Sequence, residues 1–118
     1  MAAKLSPLRQ VDLEAGMPYV EQAMQRLEHE LRRSRSMGCT AVKLIHGYGS
    51  SGKGGKIRTA RRKRLTVLRA EGAIRDFIPG ERFSIFEEAT RRAFVHCGDL
   101  RDDRDLDRYN HGVTFLLL

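Results

Sequence analysis

The 118-residue chain has no tryptophan, only two cysteines and three prolines, and no apolar run approaching 18 residues. Each lack excludes something. A membrane-spanning helix needs about 20 consecutive apolar residues, and the N-terminal MAAKLSPLRQ has no apolar core of the kind a secretory signal carries. Cys39 and Cys97 form no C-x-x-C pair, and His29, His46, His96 and His111 do not complete a zinc-ligand spacing with them, so both cysteines are expected as small buried hydrophobes. With 41% apolar residues and so few prolines, wholesale disorder is also excluded. These features predict one reduced, soluble, cytoplasmic domain spanning 1–118, large enough to bury a core without staples.

Acid is missing from one stretch in particular. Residues 31–70 hold twelve Lys and Arg and no Asp or Glu, whereas 1–30 sum to −2 and 71–118 to −3, giving the net +7. Charge so localised bears on partners more than on fold. It suits nucleic acid, an anionic membrane or an acidic protein face. A membrane-surface helix needs a broad apolar face, and between Lys53 and Arg64 the only large apolar residue is Ile57, which counts against the membrane.

What is abundant lies in the same stretch. A short apolar run over 41–46 is followed by five glycines in nine residues (Gly47, Gly49, Gly52, Gly54, Gly55) and then by a basic segment. The pattern predicts a strand over 41–46, a loop over 47–55 and a helix from Lys56 to Glu71. Glycine weakens regular structure by roughly 0.5–1 kcal/mol, so glycines this dense predict a tight or closely approached loop. A loop feeding a helix N-terminus beside Lys53 and Lys56 is an expected anion site.

Around this core, 8–14 reads as a strand, and Val20, Ala23/Met24, Leu27 and Leu31 set a helical stripe over 19–36. A strand–helix–strand unit of this length predicts parallel pairing of 8–14 with 41–46. A third strand is expected over 74–78. Ser84 with Glu87 suggests a capping box for a helix over 84–94, and 113–118 reads as a last, paired strand. The predicted fold is therefore α/β: a two-layer sandwich whose four-stranded mixed sheet carries two main helices on one face. Residues 81–111 add an insertion with an extra helix.

Two constellations bear on chemistry. GYGSSGKG over 47–54 nearly matches a phosphate loop, but Gly54 stands where a hydroxyl would hold Mg²⁺, which argues against nucleotide hydrolysis. Secondly, parallel pairing would bring Asp12 or Glu14 and His46 together at the sheet's carboxyl edge, beside the glycine loop. Carboxylate, imidazole and backbone N–H groups could there position water and hold a phosphodiester.

Asp12-Leu13-Glu14-Ala15, His46-Gly47-Tyr48-Gly49 and Gly112-Val113-Thr114, in this order around a basic helix, resemble the motifs of the Smr domain, the small MutS-related module. The resemblance implies a fold similar to the C-terminal domain of translation initiation factor three, and nucleic-acid binding, with nuclease activity in some members. Glu14 and Ala15 stand where the family pattern has histidine and glycine, which weakens the nuclease implication. The expected binding residues are Gly47, Tyr48, Gly49, Gly52, Lys53, Lys56, Arg58, Arg62 and Arg69, flanked by Arg61 and Arg64. Any cleavage would be weak and would rest on His46 and Asp12, with Glu14 available only as a carboxylate and a divalent cation entering only with that activity. No metal site or other cofactor is expected. The alternative is an adaptor that docks an acidic protein, using 81–111 as a second contact.

Overall fold

The computed structural model describes residues 7–16, 18–47 and 52–118, and over 52–58 the backbone alone. Along the chain lie β1 (Leu8–Asp12), α1 (Val20–Ser36), β2 (Ala41–Ile45), α2 (Gly52–Ala70), β3 (Asp76–Pro79), α3 (Glu88–His96) and β4 (Val113–Leu117), with 3₁₀ turns at Gly80–Arg82 and Gly98–Asp102. The strands form one sheet in the order β1-β2-β4-β3. β1 pairs parallel with β2, as the strand–helix–strand spacing predicts, and β4 runs antiparallel between β2 and β3. The class is the expected one: α/β, with a four-stranded mixed sheet and the two main helices on one face.

Local chemistry explains the elements. In α1, Ala23, Leu27 and Leu31 recur every fourth residue and are buried. Its start is fixed by Gln22, whose side-chain oxygen accepts the Tyr19 amide at 3.0 Å. Glu21 lies in the first turn and Arg33 and Arg35 in the last, the order that the helix dipole favours.

The period of two in the strands divides the core. Val42 and Leu44 of β2 and Leu116 of β4 pack with Leu27 and Leu31 of α1 and Leu65 and Leu68 of α2. On the opposite face Ala41, Ile78, Phe115 and Leu117 meet Phe83, Ala93, Cys97 and Leu100. Residues 80–112 therefore back the sheet's second face, where Phe83 stacks on Phe115 with ring centres 3.9 Å apart. Both cysteines are buried.

Several boundaries differ from expectation, and β1 ends at Asp12 rather than at residue 14. α2 begins at Gly52, not Lys56, so Gly52, Gly54 and Gly55 belong to the helix. Glycine weakens a helix by about 1 kcal/mol per residue without forbidding it, and no proline interrupts this segment. The third strand begins at Asp76, because Ala73 and Ile74 still donate their amides to Leu68, wrapping the end of α2. Pro79 is tolerated inside β3 because β3 is an edge strand. Ser84 does not cap α3, which starts at Glu88. Its hydroxyl instead accepts the Phe86 amide, while buried Thr90 receives the Ser84 amide and donates to Arg82 O, closing a turn ahead of the helix.

Candidate functional site

Parallel pairing sets Asp12 beside Ile45, and antiparallel pairing sets Ile45 beside Val113. Just past these positions the Leu13 amide donates to Ile45 O at 2.8 Å, and the His46 and Gly47 amides both donate to Gly112 O, at 2.9 and 3.1 Å. The described residues of the three short motifs, 12–15, 46–47 and 112–114, thus approach one another at a single sheet end. Tyr48 and Gly49 lie outside the described residues.

His46 is only 1% exposed. Its Nδ1 is 2.9 Å from Gly47 O and its Nε2 is 2.9 Å from Thr114 Oγ1. Thr114 Oγ1 also receives Arg61 Nη1 at 2.6 Å. A carbonyl only accepts, so Nδ1 carries a proton, and Thr114, already accepting from Arg61, is oriented to donate to Nε2. The side chain expected to activate water is therefore engaged inward through both nitrogens.

Arg61 corrects the expectation that it flanks a surface site, being 2% exposed. It lies one turn before Leu65, on the stripe that α2 turns to the sheet, so its guanidinium is carried under the helix to Thr114. Asp12 also has a local task. Its Oδ1 accepts the Glu14 amide at 2.8 Å, while Arg26 Nη1 donates to Leu13 O and Ala15 O at 3.2 and 2.8 Å, fixing the turn after β1.

Glu14 is the carboxylate that reaches the start of the glycine loop. Gly47 has φ +67°, and a Cβ there would collide with the Glu14 carboxyl group. Burial, and secondarily the charge of Asp12, raise the Glu14 carboxyl above the usual range.

The basic surface is more balanced than the sequence suggests. Arg62 pairs with Glu81 at 3.0 Å, Arg64 with Glu28, and Arg69 with Asp76 at 3.1 Å. Arg69 also stacks over Phe77, 4.7 Å from its centre. The acid-free stretch thus receives carboxylates from neighbouring elements, which a count along the chain cannot see. These arginine side chains remain 40–47% exposed, and exposed ion pairs contribute only about 0–1 kcal/mol, so each pair costs little to open. Arg62 and Arg69 share one cleft beside β3. Gly52 opens α2, and the side chains of Lys53, Lys56 and Arg58 lie outside the described residues.

Packing of α1 against α2 brings Arg32 and Arg35 of α1 to the same groove as Arg64. Both were counted in the basic stretch but not among the expected binding residues. Their i,i+3 spacing toward α2 is the signal that could have found them.

Among the described residues, no group of three or more His, Cys, Asp or Glu side chains is arranged to hold a metal ion, and no helix is long and apolar enough to cross a membrane. Compared with protein-family models, curated proteins and solved structures, the chain matches none.

Proposed function

We propose that this domain binds nucleic acid through the basic face of α1 and α2, as an Smr-like module that binds more than it cuts. One observation carries the reading. The acid-free stretch folds so that the end of α1 lies against α2, setting exposed Arg32, Arg33, Arg35 and Lys63 on the same layer as the half-exposed Arg62, Arg64 and Arg69. Polyanionic phosphate offsets such a concentration of like charge. Binding is favoured over cleavage because His46 is engaged in the interior and Glu14, where the family pattern has histidine, presents a carboxylate that repels a phosphodiester when ionised.

The test is affinity for single-stranded, duplex and branched DNA and for structured RNA across a salt series. Micromolar or tighter binding is expected, weakening with salt by roughly one unit of log–log slope per phosphate contact. Absence of binding at low salt would refute it.

A second reading rests on a different surface. Phe86 and Val95 are 82% and 86% exposed, with Ile85 and Tyr109 also open, all on the layer over 80–112. Apolar side chains so placed suit an adaptor that docks another protein. Loss of partner capture on Phe86→Ser/Val95→Ser, with nucleic-acid affinity intact, would support it.

A further inference from the structure

The groove between α1 and α2 joins charge to an apolar floor with less acid than the cleft beside β3, where Asp76, Glu81 and Glu87 stand among the arginines. Arg32 and Arg35 rise from one side and Arg64 from the other, over a cleft of about 320 Å³. Leu31, Leu68 and Ala73 line it. The single carboxylate is Glu28, already taken by Arg64. Three guanidinium groups and one acid leave the groove net positive. Its volume lies at the low end of the roughly 300–1,000 Å³ typical of ligand clefts.

A groove that recognised phosphate alone would need no apolar floor. A duplex supplies only phosphates here, because its bases are stacked inside the helix. An unpaired nucleotide supplies both parts: a flat, weakly polar base for the floor, and phosphates on either side for the arginines. Guanidinium planes also stack on bases, so Arg64 has a second use once released from Glu28. Resting on the nucleic-acid reading above, we infer that the α1–α2 groove is a subsite for one unpaired nucleotide, with Arg32 and Arg35 on its flanking phosphates. The domain would then prefer single-stranded or branched nucleic acid to perfect duplex.

The experiment compares the full chain's affinity, by fluorescence anisotropy, for a labelled single-stranded oligonucleotide as DNA and as RNA, for its duplex, and for an abasic strand of equal length. The abasic strand keeps every phosphate and removes every base. Wild type is expected to bind the normal strand about 5- to 150-fold more tightly than the abasic one, the range set by stacking one base. Arg32→Ala/Arg35→Ala, both exposed positions, should weaken binding and lower the salt slope by about two, one per lost phosphate contact. It should also erase most of the preference for bases, with circular dichroism unchanged. A matched variant on the opposite layer, Arg92→Ala/Arg108→Ala, loses the same charge and should keep that preference.

Equal affinity for normal and abasic strands, or a preference that survives Arg32→Ala/Arg35→Ala, overturns the subsite and leaves nucleic-acid binding standing. Binding to polyglutamate with none to any oligonucleotide overturns both in favour of an acidic protein partner.

Discussion

Gly47 is where one residue's freedom matters most. Its φ of +67° lies in the left-handed region, and the Glu14 carboxyl group fills the space where a Cβ would stand. Gly38 has a similar φ, +78°, with nothing within 4 Å of the place a Cβ would take, so it isolates the backbone cost. Gly38→Ala is expected to destabilise by about 1–2 kcal/mol, the left-handed penalty alone. Gly47→Ala should cost more, and adding Glu14→Ala should recover the excess. Urea unfolding of the three variants checks this; equal losses at the two glycines would show that Glu14 and Gly47 are not packed together. The glycine itself was legible in the sequence as a loop residue after a strand. Parallel pairing also placed Glu14 beside that loop, but which residue it meets was not legible, because that depends on the register between β1 and β2. Arg61 shows the same limit: its place on the apolar stripe of α2 was visible, but burying a guanidinium requires a polar partner, and Thr114 lies 53 residues away.

At the scale of elements, β2 and the segment behind it are joined by charge as well as by packing. Lys43, one of the twelve basic residues of 31–70, is 4% exposed and points into the core. Its ammonium lies 3.0 Å from Asp103 and 2.6 Å from Asp105, and Asn110 donates to Asp105 at 2.9 Å. Burial alone would raise the Asp105 carboxyl, but hydrogen bonds from Lys43 and Asn110, aided by the charges of Lys43 and Arg104, outweigh it and hold the group below the usual range. A carboxyl depressed in the folded state adds stability above its ordinary value, near about 3.9, and that stability is lost as pH falls through the folded value. The denaturation midpoint of wild type should therefore drop on acidification below about pH 4, and Asp105→Asn should flatten that drop. Parallel pH profiles for the two proteins would remove Asp105 from the account. The strands and both main helices were readable because period-two and helical stripes are local signals. The partner of Lys43 was not, since nothing near 43 in the chain indicates a carboxylate sixty residues on.

Over the whole molecule, the decisive question is whether residues 81–111 decorate a finished fold or complete it. Geometry permits their removal: Gly80 packs so closely on Asn110 and Val113 that a Cβ there would strike both, so a short glycine–serine linker could join the flanking segments. Energetics oppose it. Without the segment, Ala41, Ile78, Phe115 and Leu117 would lose the layer formed by Phe83, Ala93, Cys97 and Leu100. Lys43 would lose both carboxylates at the same time. β4 is buried along its whole length and feeds both core clusters, Leu116 one and Phe115 the other, so damage to one face propagates to the next through a shared central strand. Removing a buried aromatic side chain such as Phe115 alone costs about 3–5 kcal/mol, already comparable to the roughly 5–15 kcal/mol that holds a domain folded. A linker-bridged variant lacking 81–111 is thus expected to lose cooperative unfolding and to expose apolar surface, measured by thermal circular dichroism and by binding of a hydrophobic dye. A sharp transition in that variant would mean that α1, α2 and the sheet suffice by themselves, and that the second layer serves binding alone.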